Sequence, residues 1–329
     1  MGSTISQIFP PKPKFTEKNL PSLEGNVYIV TGSNTGVGKE LAQMLYLKNA
    51  KVYIAARSQE KAEAAIKDIK KAAPNSEGLL VFLHLDLNDL TTIKASVDEF
   101  LAAETRLHVL FNNAGIMSPA ADSPKTAQGY EIHLGVNCVG TFLFTKLLTP
   151  ILVASAKTEA PGIVRVVWVS SSGTEIAGVK SLGLNLDNLD YHIPAEGMIK
   201  YALSKAGNWL HGVEFAKRYQ ADGVVSIPLN PGNLASDLYR QHGRLFSIFV
   251  AMITYPPING AWTELYAGLS PEITLANSGS WVVPWGRILP IRKDLVAATK
   301  SEAEGGNGNA AKFWDWTEEQ IKPYLSSQK

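Results

Sequence analysis

Along the chain, the first long apolar run that leads into a turn is Val27-Tyr28-Ile29-Val30, which feeds straight into Thr31-Gly32-Ser33-Asn34-Thr35-Gly36-Val37-Gly38-Lys39. An unbroken apolar run ending at glycines predicts a buried strand. Leu41, Ala42, Leu45 and Leu47 then form a helical apolar face, so a helix begins inside the glycine-rich stretch. Val52 to Ala56 predicts a second strand, ending at Arg57. Lys61 to Ala73, rich in Ala, Lys and Glu and stopped by Pro74, predicts a helix. Leu79 to Leu85 predicts a third strand closed by Asp86-Leu87, and a helix from about Thr91 to Ala103 leads to a fourth strand, Val109-Leu110-Phe111, running into Asn112-Asn113-Ala114-Gly115.

Strands that alternate with helices and are apolar almost throughout imply an α/β fold whose parallel sheet is covered by helices on both faces. Right-handed crossovers make that sheet doubly wound. The pattern continues with a long helix expected over Ala127 to Ser155 and a strand from Ile163 to Val169 that delivers Ser170-Ser171-Ser172. A Gly-, Asn- and Asp-rich surface excursion from Ile176 to Gly197 precedes a helix carrying Tyr201 and Lys205. A strand from Val224 to Leu229 and the turn Asn230-Pro231-Gly232 follow. No linker or internal repeat interrupts this order, so one domain is expected over residues 23–329. Residues 1–22 are expected to form an extended arm, because Pro10-Pro11-Lys12-Pro13 cannot be helical.

Composition narrows the partners. With a net charge of +1 and no basic stripe there is no electrostatic case for nucleic acid. Cys138 is the only cysteine, which excludes an intrachain disulfide and any cysteine-based metal site and suits a reducing, cytoplasmic setting. No metal ligands are expected. Met1-Gly2-Ser3-Thr4-Ile5-Ser6 lacks the charged and apolar regions of a secretory signal; it fits the short lipidation pattern at Gly2, or an ordinary flexible tail. The longest uninterrupted apolar candidate, Leu245 to Ile253, is broken by Ser247 and falls far short of the ~20 residues that span a bilayer, so a soluble protein is expected.

Several motifs, in a fixed order, resemble the short-chain dehydrogenase/reductase family of the classical type, over about Leu23 to Ser236. The pattern TGxxxGxG appears as Thr31, Gly32, Gly36 and Gly38, NNAG as Asn112 to Gly115, and YxxxK as Tyr201 and Lys205. The family's serine falls on Ser171, inside a run of three that keeps its neighbours as candidates. The resemblance implies a single-domain Rossmann-like sheet binding a nicotinamide dinucleotide. The cofactor would contact Gly32, Ser33, Asn34, Thr35, Gly36, Val37 and Gly38 in the turn, and Asp86 and Leu87 near its adenine. Asn113, Ala114 and Gly115 would line its middle. Tyr201, Lys205, Pro231, Gly232, Leu234 and Ser236 would surround the nicotinamide end.

Reducing a carbonyl needs a hydride, a proton for the developing alkoxide, and donors where negative charge accumulates. Tyr201 and Lys205 lie one helical turn apart and point at the same region. A free tyrosine has a pKa of about 10, and a neighbouring ammonium lowers it. Ser171 would hydrogen-bond the substrate oxygen; Asn137 matches the family's helix asparagine, which links the lysine through water to a proton relay. Each residue also has a plainer reading: a packing tyrosine, a surface lysine, turn serines, a buried amide. His84 and His133 read as structural histidines.

An acidic residue at the end of the second strand would hold the ribose of NAD, whereas an arginine pairs with the extra phosphate of NADP. Here Ala56 holds the acidic position and Arg57 follows, which favours NADP(H), although Thr35 replaces the basic residue many NADP enzymes carry inside the turn. The insert between Ser171 and Tyr201, together with Asn34-Thr35-Gly36-Val37-Gly38-Lys39-Glu40, resembles the retinol-dehydrogenase-like branch. Residues 234–270 are expected to form a substrate lid, with Tyr239, Leu245, Phe246, Ile248, Phe249, Met252 and Tyr255 presenting apolar surface to a hydrophobic ketone, aldehyde or alcohol. The same surface would serve a homo-oligomer or a peripheral membrane contact. Residues 271–329, with Trp281 and Trp285, form a C-terminal extension closed by a helix over 313–325. The competing functions are a cofactor-binding regulatory or scaffold protein without chemistry, and an epimerase or dehydratase working through transient oxidation.

Overall fold

The computed structural model of the chain describes residues 2–118, 124–235 and 254–326. Its strands are β1 (Val27–Thr31), β2 (Lys51–Ala56), β3 (Leu79–His84), β4 (Val109–Asn112), β5 (Arg165–Val169), β6 (Val225–Leu229), β7 (Val282–Val283) and β8 (Arg287–Ile288). They form one sheet in the order β3-β2-β1-β4-β5-β6-β7-β8. Every neighbouring pair is parallel except β7 with β8. The chain steps outward from β1 to β3, then crosses back to lay β4 beside β1. That reversal opens a crevice at the carboxyl ends of β1 and β4, where such sheets bind ligands.

The helices are α1 (Gly2–Ile8), α2 (Gly36–Tyr46), α3 (Gln59–Ala72), α4 (Leu90–Ala103), α5 (Thr141–Ala156), α6 (Gly173–Ala177), α7 (Gly197–Tyr219), α8 (Pro257–Leu269), α9 (Val296–Thr299) and α10 (Asn309–Ile321). Successive strand residues point to opposite faces, so the sheet separates two cores. Val30, Ile54, Phe111 and Val167 pack with Leu41 and Leu45 of α2 and Leu265 of α8. Ile29, Leu110, Val166 and Trp168 pack with Phe100 of α4, Phe142 of α5 and Phe215 of α7.

The structure corrects four sequence expectations. The helix expected from Ala127 begins only after Glu131: Gly129, at φ +85°, turns the chain, and Lys125 pairs with Glu131 across that turn. The next residues, Leu134–Gly140, are wound as a π-helix before α5. Among the described residues, Leu134–Ala156, which the sequence reading did not single out, is long and apolar enough to cross a membrane by length and composition, and 72% of its apolar window is buried inside the protein; the candidate 245–253 lies outside the described residues. Within the expected lid, Pro257–Leu269 is instead α8, whose Ala261 and Leu265 are fully buried against the sheet. The chain before Pro10, expected as part of an extended arm with a flexible or lipidated start, contains α1. Of the other lid residues, those from Tyr239 to Met252 lie outside the described residues, as does Ser236.

Residues beyond α8 complete the sheet and cover it. Trp281 and Trp285 are buried beside β7 and β8. On α10, Trp314 sits edge-on to Phe142 with ring centroids 4.6 Å apart, and the Arg218 guanidinium stacks 4.9 Å from its ring. Phe313 stacks on His211 of α7 at 4.5 Å.

Candidate active site

The glycine turn is held by its own backbone and by the segment after β4. Gly32 N donates to Ala55 O at 2.7 Å, and Gly32 and Gly36 have φ of +68° and +57°. Side chains rarely adopt that region. At Gly32 a Cβ would also meet Ala114 Cα at 3.0 Å, so the two loops approach too closely for any side chain there. Thr31 Oγ1 donates to Phe111 O at 3.2 Å and accepts from Ala114 N at 2.9 Å, while Asn113 Nδ2 donates to Thr31 O at 2.7 Å. These bonds lock the ends of β1 and β4 together. α2 then starts at Gly36, and the side chain of its N-cap residue, Thr35, makes no capping hydrogen bond among the described residues. Its leading N–H groups are therefore not satisfied by a capping side chain, at the end of the helix whose dipole favours negative charge.

A cleft of about 450 Å³ runs along these segments. Gly32, Asn34, Thr35 and Val37 line it at the turn; Arg57, Asp86 and Leu87 line it beyond β2 and β3. Asn113, Ala114 and Gly115 line its central part. Ser33 and Gly38 are buried beneath the turn. Ser33 is buried with Oγ donating to Val30 O at 2.7 Å, and a Cβ on Gly38 would lie 2.5 Å from Asn113 Nδ2. These two shape the turn from inside. Sequence reasoning missed Lys61 and Asn88, which also line it. Lys61 follows Arg57 by four residues, in the first turn of α3, and that spacing was the available signal.

Past Gly115 the site deepens into the Tyr201–Lys205 pair on α7. Lys205 is buried, donates from Nζ to Val169 O at 2.8 Å, and lies 5.9 Å from the Tyr201 ring centroid. Burial pulls its pKa down from 10.5 to about 8. A Cβ added at Gly115 would come within 2.9 Å of Lys205 Nζ and 3.3 Å of Asn137 Oδ1. The ammonium and the asparagine therefore flank one point at the inner end of the cleft. Asn137, on the π-helix, accepts at Oδ1 from Ile116 N at 2.8 Å and donates from Nδ2 to Ile116 O at 3.1 Å and Ser204 Oγ at 2.9 Å. Ser204 Oγ in turn donates to Tyr201 O at 2.7 Å. Asn137 thus ties the chain after Gly115 to the turn of α7 that carries Tyr201, a linkage that involves Ser204, which the sequence did not single out.

The serine run separates by burial. Ser170 is buried and donates from Oγ to Lys205 O at 2.6 Å. Ser172 opens α6. Ser171 stays partly exposed, its Oγ accepting from Gly173 N at 3.1 Å. Pro231, Gly232 and Leu234 lie on the loop after β6, where Asn230 Oδ1 accepts from Gly232 N at 3.0 Å. His133 is satisfied on both nitrogens, by Ser118 N at 2.9 Å and Glu131 at 2.6 Å, and its ring lies 6.1 Å from that of Tyr201.

A family profile described as short chain dehydrogenase matches residues 26–181. A short-chain dehydrogenase/reductase, bet4, of Neocamarosporium betae is 53% identical over 327 residues, covering 99% of this chain and 94% of its own. Another from Phomopsis amygdali is 54% identical over 325 residues, covering 97% and 96%. Among solved structures, the Pseudomonas aeruginosa RhlG/NADP active-site complex superposes with a TM-score of 0.63 over 79% of this chain and 95% of that one; at 22% identity it attests the fold. With near full-length relatives above half identity, the chain belongs to the short-chain dehydrogenase/reductase family of oxidoreductases.

Proposed function

We propose that the protein is an NADP(H)-dependent reductase or dehydrogenase that interconverts the carbonyl and hydroxyl of a hydrophobic small molecule, with Tyr201 as general acid and base. The observation that carries this reading is the buried Lys205 ammonium, set beside both the Tyr201 ring and the inner end of the cleft at Gly115. A nicotinamide dinucleotide suits what is present: a turn too close to its neighbour for side chains, a helix N-terminus without a side-chain cap, and a cleft of about 450 Å³. Arg57 and Lys61, both exposed at the far end of the cleft, supply two positive charges for a ribose phosphate. When bound, such a group supplies or accepts the hydride.

The remaining work falls to this chain. Tyr201 hands its phenolic proton to the oxygen of a carbonyl undergoing reduction, or takes it back in the reverse direction. Lys205 stabilises the phenolate so formed. Ser171 donates to the same substrate oxygen and fixes its orientation. The hydrophobic substrate class is supported by Ile176, Ile193, Met198 and Ile199, large apolar side chains left exposed between Ser171 and Tyr201. A regulatory protein without chemistry would have no use for a tyrosine and a buried lysine brought to one point.

The experiment follows NADPH and NADH absorbance against a panel of hydrophobic ketones, aldehydes and alcohols. Tyr201→Phe is expected to lower kcat by about a hundredfold or more while NADPH still binds. Turnover near the wild-type rate would remove Tyr201 from the mechanism, and a clear preference for NADH would remove Arg57 and Lys61 from cofactor selection.

A further inference from the structure

The arm ahead of β1 does more than lie over the domain. Gln7 of α1 is only 7% exposed. It accepts at Oε1 from Asn230 Nδ2 at 3.0 Å and donates from Nε2 to Glu175 Oε2 at 2.7 Å. Asn230 shapes the loop after β6 through its bond from Gly232 N. Glu175 lies on α6, four residues past Ser171, and its Oε1 accepts from Arg292 N at 3.2 Å. A single side chain of the arm therefore joins the segment that follows β5 to the segment that follows β6. Those two segments carry Ser171 on one side and Pro231-Gly232 on the other.

Two more contacts fix the arm in place. Arg287 Nη2 donates to Ser6 O at 2.7 Å, and Tyr255 Oη donates to Ile8 O at 3.3 Å. Tyr255 is itself paired with the loop after β6, its N donating to Asn233 O and its O accepting from Ala235 N, both at 2.8 Å. The burial pattern is the reverse of an ordinary docked helix. Ile5 and Phe9 are each 60% exposed while the amide of Gln7 is enclosed. Apolar burial of Ile5 and Phe9 is therefore not what holds this helix; a buried carboxamide is costly unless both its ends are bonded. Here both ends are bonded, and both partners border the site.

We propose that α1 forms a third side of the substrate site and that Gln7 is a positioning residue, holding the Ser171 and Asn230 segments at a fixed separation around the substrate carbonyl. This rests on the reductase reading above, and it places substrate selectivity partly in the first nine residues. The lining of the cleft at the ends of β1 to β4 includes neither Gln7 nor its partners Glu175 and Asn230, so losing the Gln7 bonds bears on the substrate far more than on the adenine and phosphate end of the dinucleotide.

The test compares wild type with Gln7→Leu and with the paired exchange Gln7→Glu/Glu175→Gln. The exchange restores both bonds with the second one reversed, since a carboxylate at position 7 accepts from Asn230 and from the new amide at 175, which still accepts from Arg292 N. With phenanthrenequinone as the probe carbonyl, Gln7→Leu is expected to raise KM by about tenfold with an NADPH dissociation constant within about threefold of wild type, and the exchange to return KM to within about threefold of wild type. Amide hydrogen exchange is measured in the same proteins. In Gln7→Leu, exchange is expected to quicken both at 173–178 and at 232–235, a readout independent of turnover. Unchanged exchange at either segment overturns the proposal, as does a KM that stays at the wild-type value or an NADPH affinity that falls in step with KM. A wild type that turns over no carbonyl at all refutes the reductase reading instead, and the exchange data still decide whether Gln7 couples the two segments.

Discussion

Glu264 offers a test that does not depend on the substrate. It sits mid-way along α8, fully buried, and neither carboxylate oxygen has a hydrogen-bond partner among the described residues. One turn before it, a Cβ on Gly260 would press on Leu234 and Val37; one turn after it, a Cβ on Gly268 would press on the Phe111 ring. Burial in that apolar layer raises its pKa from 4.5 to about 8, partly offset by the Lys205 charge. Each pH unit of such a displacement corresponds to ~1.4 kcal/mol, which sets a ceiling of ~5 kcal/mol at pH 8 and above. Relaxation and water entry reduce this to about 2–3 kcal/mol.

The direction follows from proton counts. Between pH 4.5 and 8 the folded state keeps a proton on Glu264 that the unfolded chain releases, so Glu264 makes stability fall as pH rises through that window. Lys205 acts oppositely and at higher pH: its pKa is depressed, so its penalty is full below about 8 and fades toward 10.5. Replacing Glu264 by Met removes the first effect at nearly constant volume. Urea unfolding at intervals from pH 5 to 9, followed by fluorescence and circular dichroism, should show Glu264→Met more stable than wild type by a margin that grows by about 2–3 kcal/mol between pH 5 and pH 8. Glu264→Gln should show the same divergence with a smaller absolute gain, because its amide is still desolvated. Parallel stability curves for wild type and Glu264→Met across that range would refute the reasoning.

Two further expectations concern single contacts. Arg165 is buried and its guanidinium donates to the carbonyls of Gly162, Ala267, Ser270 and Ile273 at 2.7–3.1 Å, pinning the end of α8 to β5. Arg165→Met should cost about 3–5 kcal/mol by urea unfolding, given that bonds from a charged donor are each worth ~1.5–3 kcal/mol and do not add fully; Arg165→Lys should recover less than half, since an ammonium cannot span four acceptors. At Gly115, the Cβ of an alanine would displace the Lys205 ammonium, so Gly115→Ala should weaken NADPH binding in a fluorescence titration by about tenfold or more, with a melting temperature close to wild type.

The parts of this molecule that could be read from the sequence are those whose cause is local. A strand that ends in glycines, an Asn-Asn-Ala-Gly after the fourth strand, and a tyrosine one turn before a lysine all carry their geometry within a few residues, and the structure brings them together at the sheet crevice. Where the cause is distant, the reading failed. Gly2-Ser3-Thr4-Ile5-Ser6-Gln7-Ile8 contains no strong helix former and is held by bonds to positions 175, 230 and 287, which no local pattern announces. Likewise α8 looked like a continuation of an apolar lid, because burial against a sheet and burial under a lid have the same composition. Ser170 and Ser171 are indistinguishable as letters; only the reach of Ser170 back to Lys205 O separates them.

The seating of α10 bears on how the chain acquires its fold. Phe142 and Phe215 belong to one aromatic cluster that Trp314 completes, and 172 residues separate Phe142 from Trp314. At ~5–20 residues per second of synthesis, Phe142 emerges about 10–35 s before the ring that covers it. During that interval the helices of one sheet face present bare aromatic surface to other nascent chains. A contact of such sequence separation also forms slowly once available, so the docking of α10 is expected among the late steps of folding, with the aromatic face open until then.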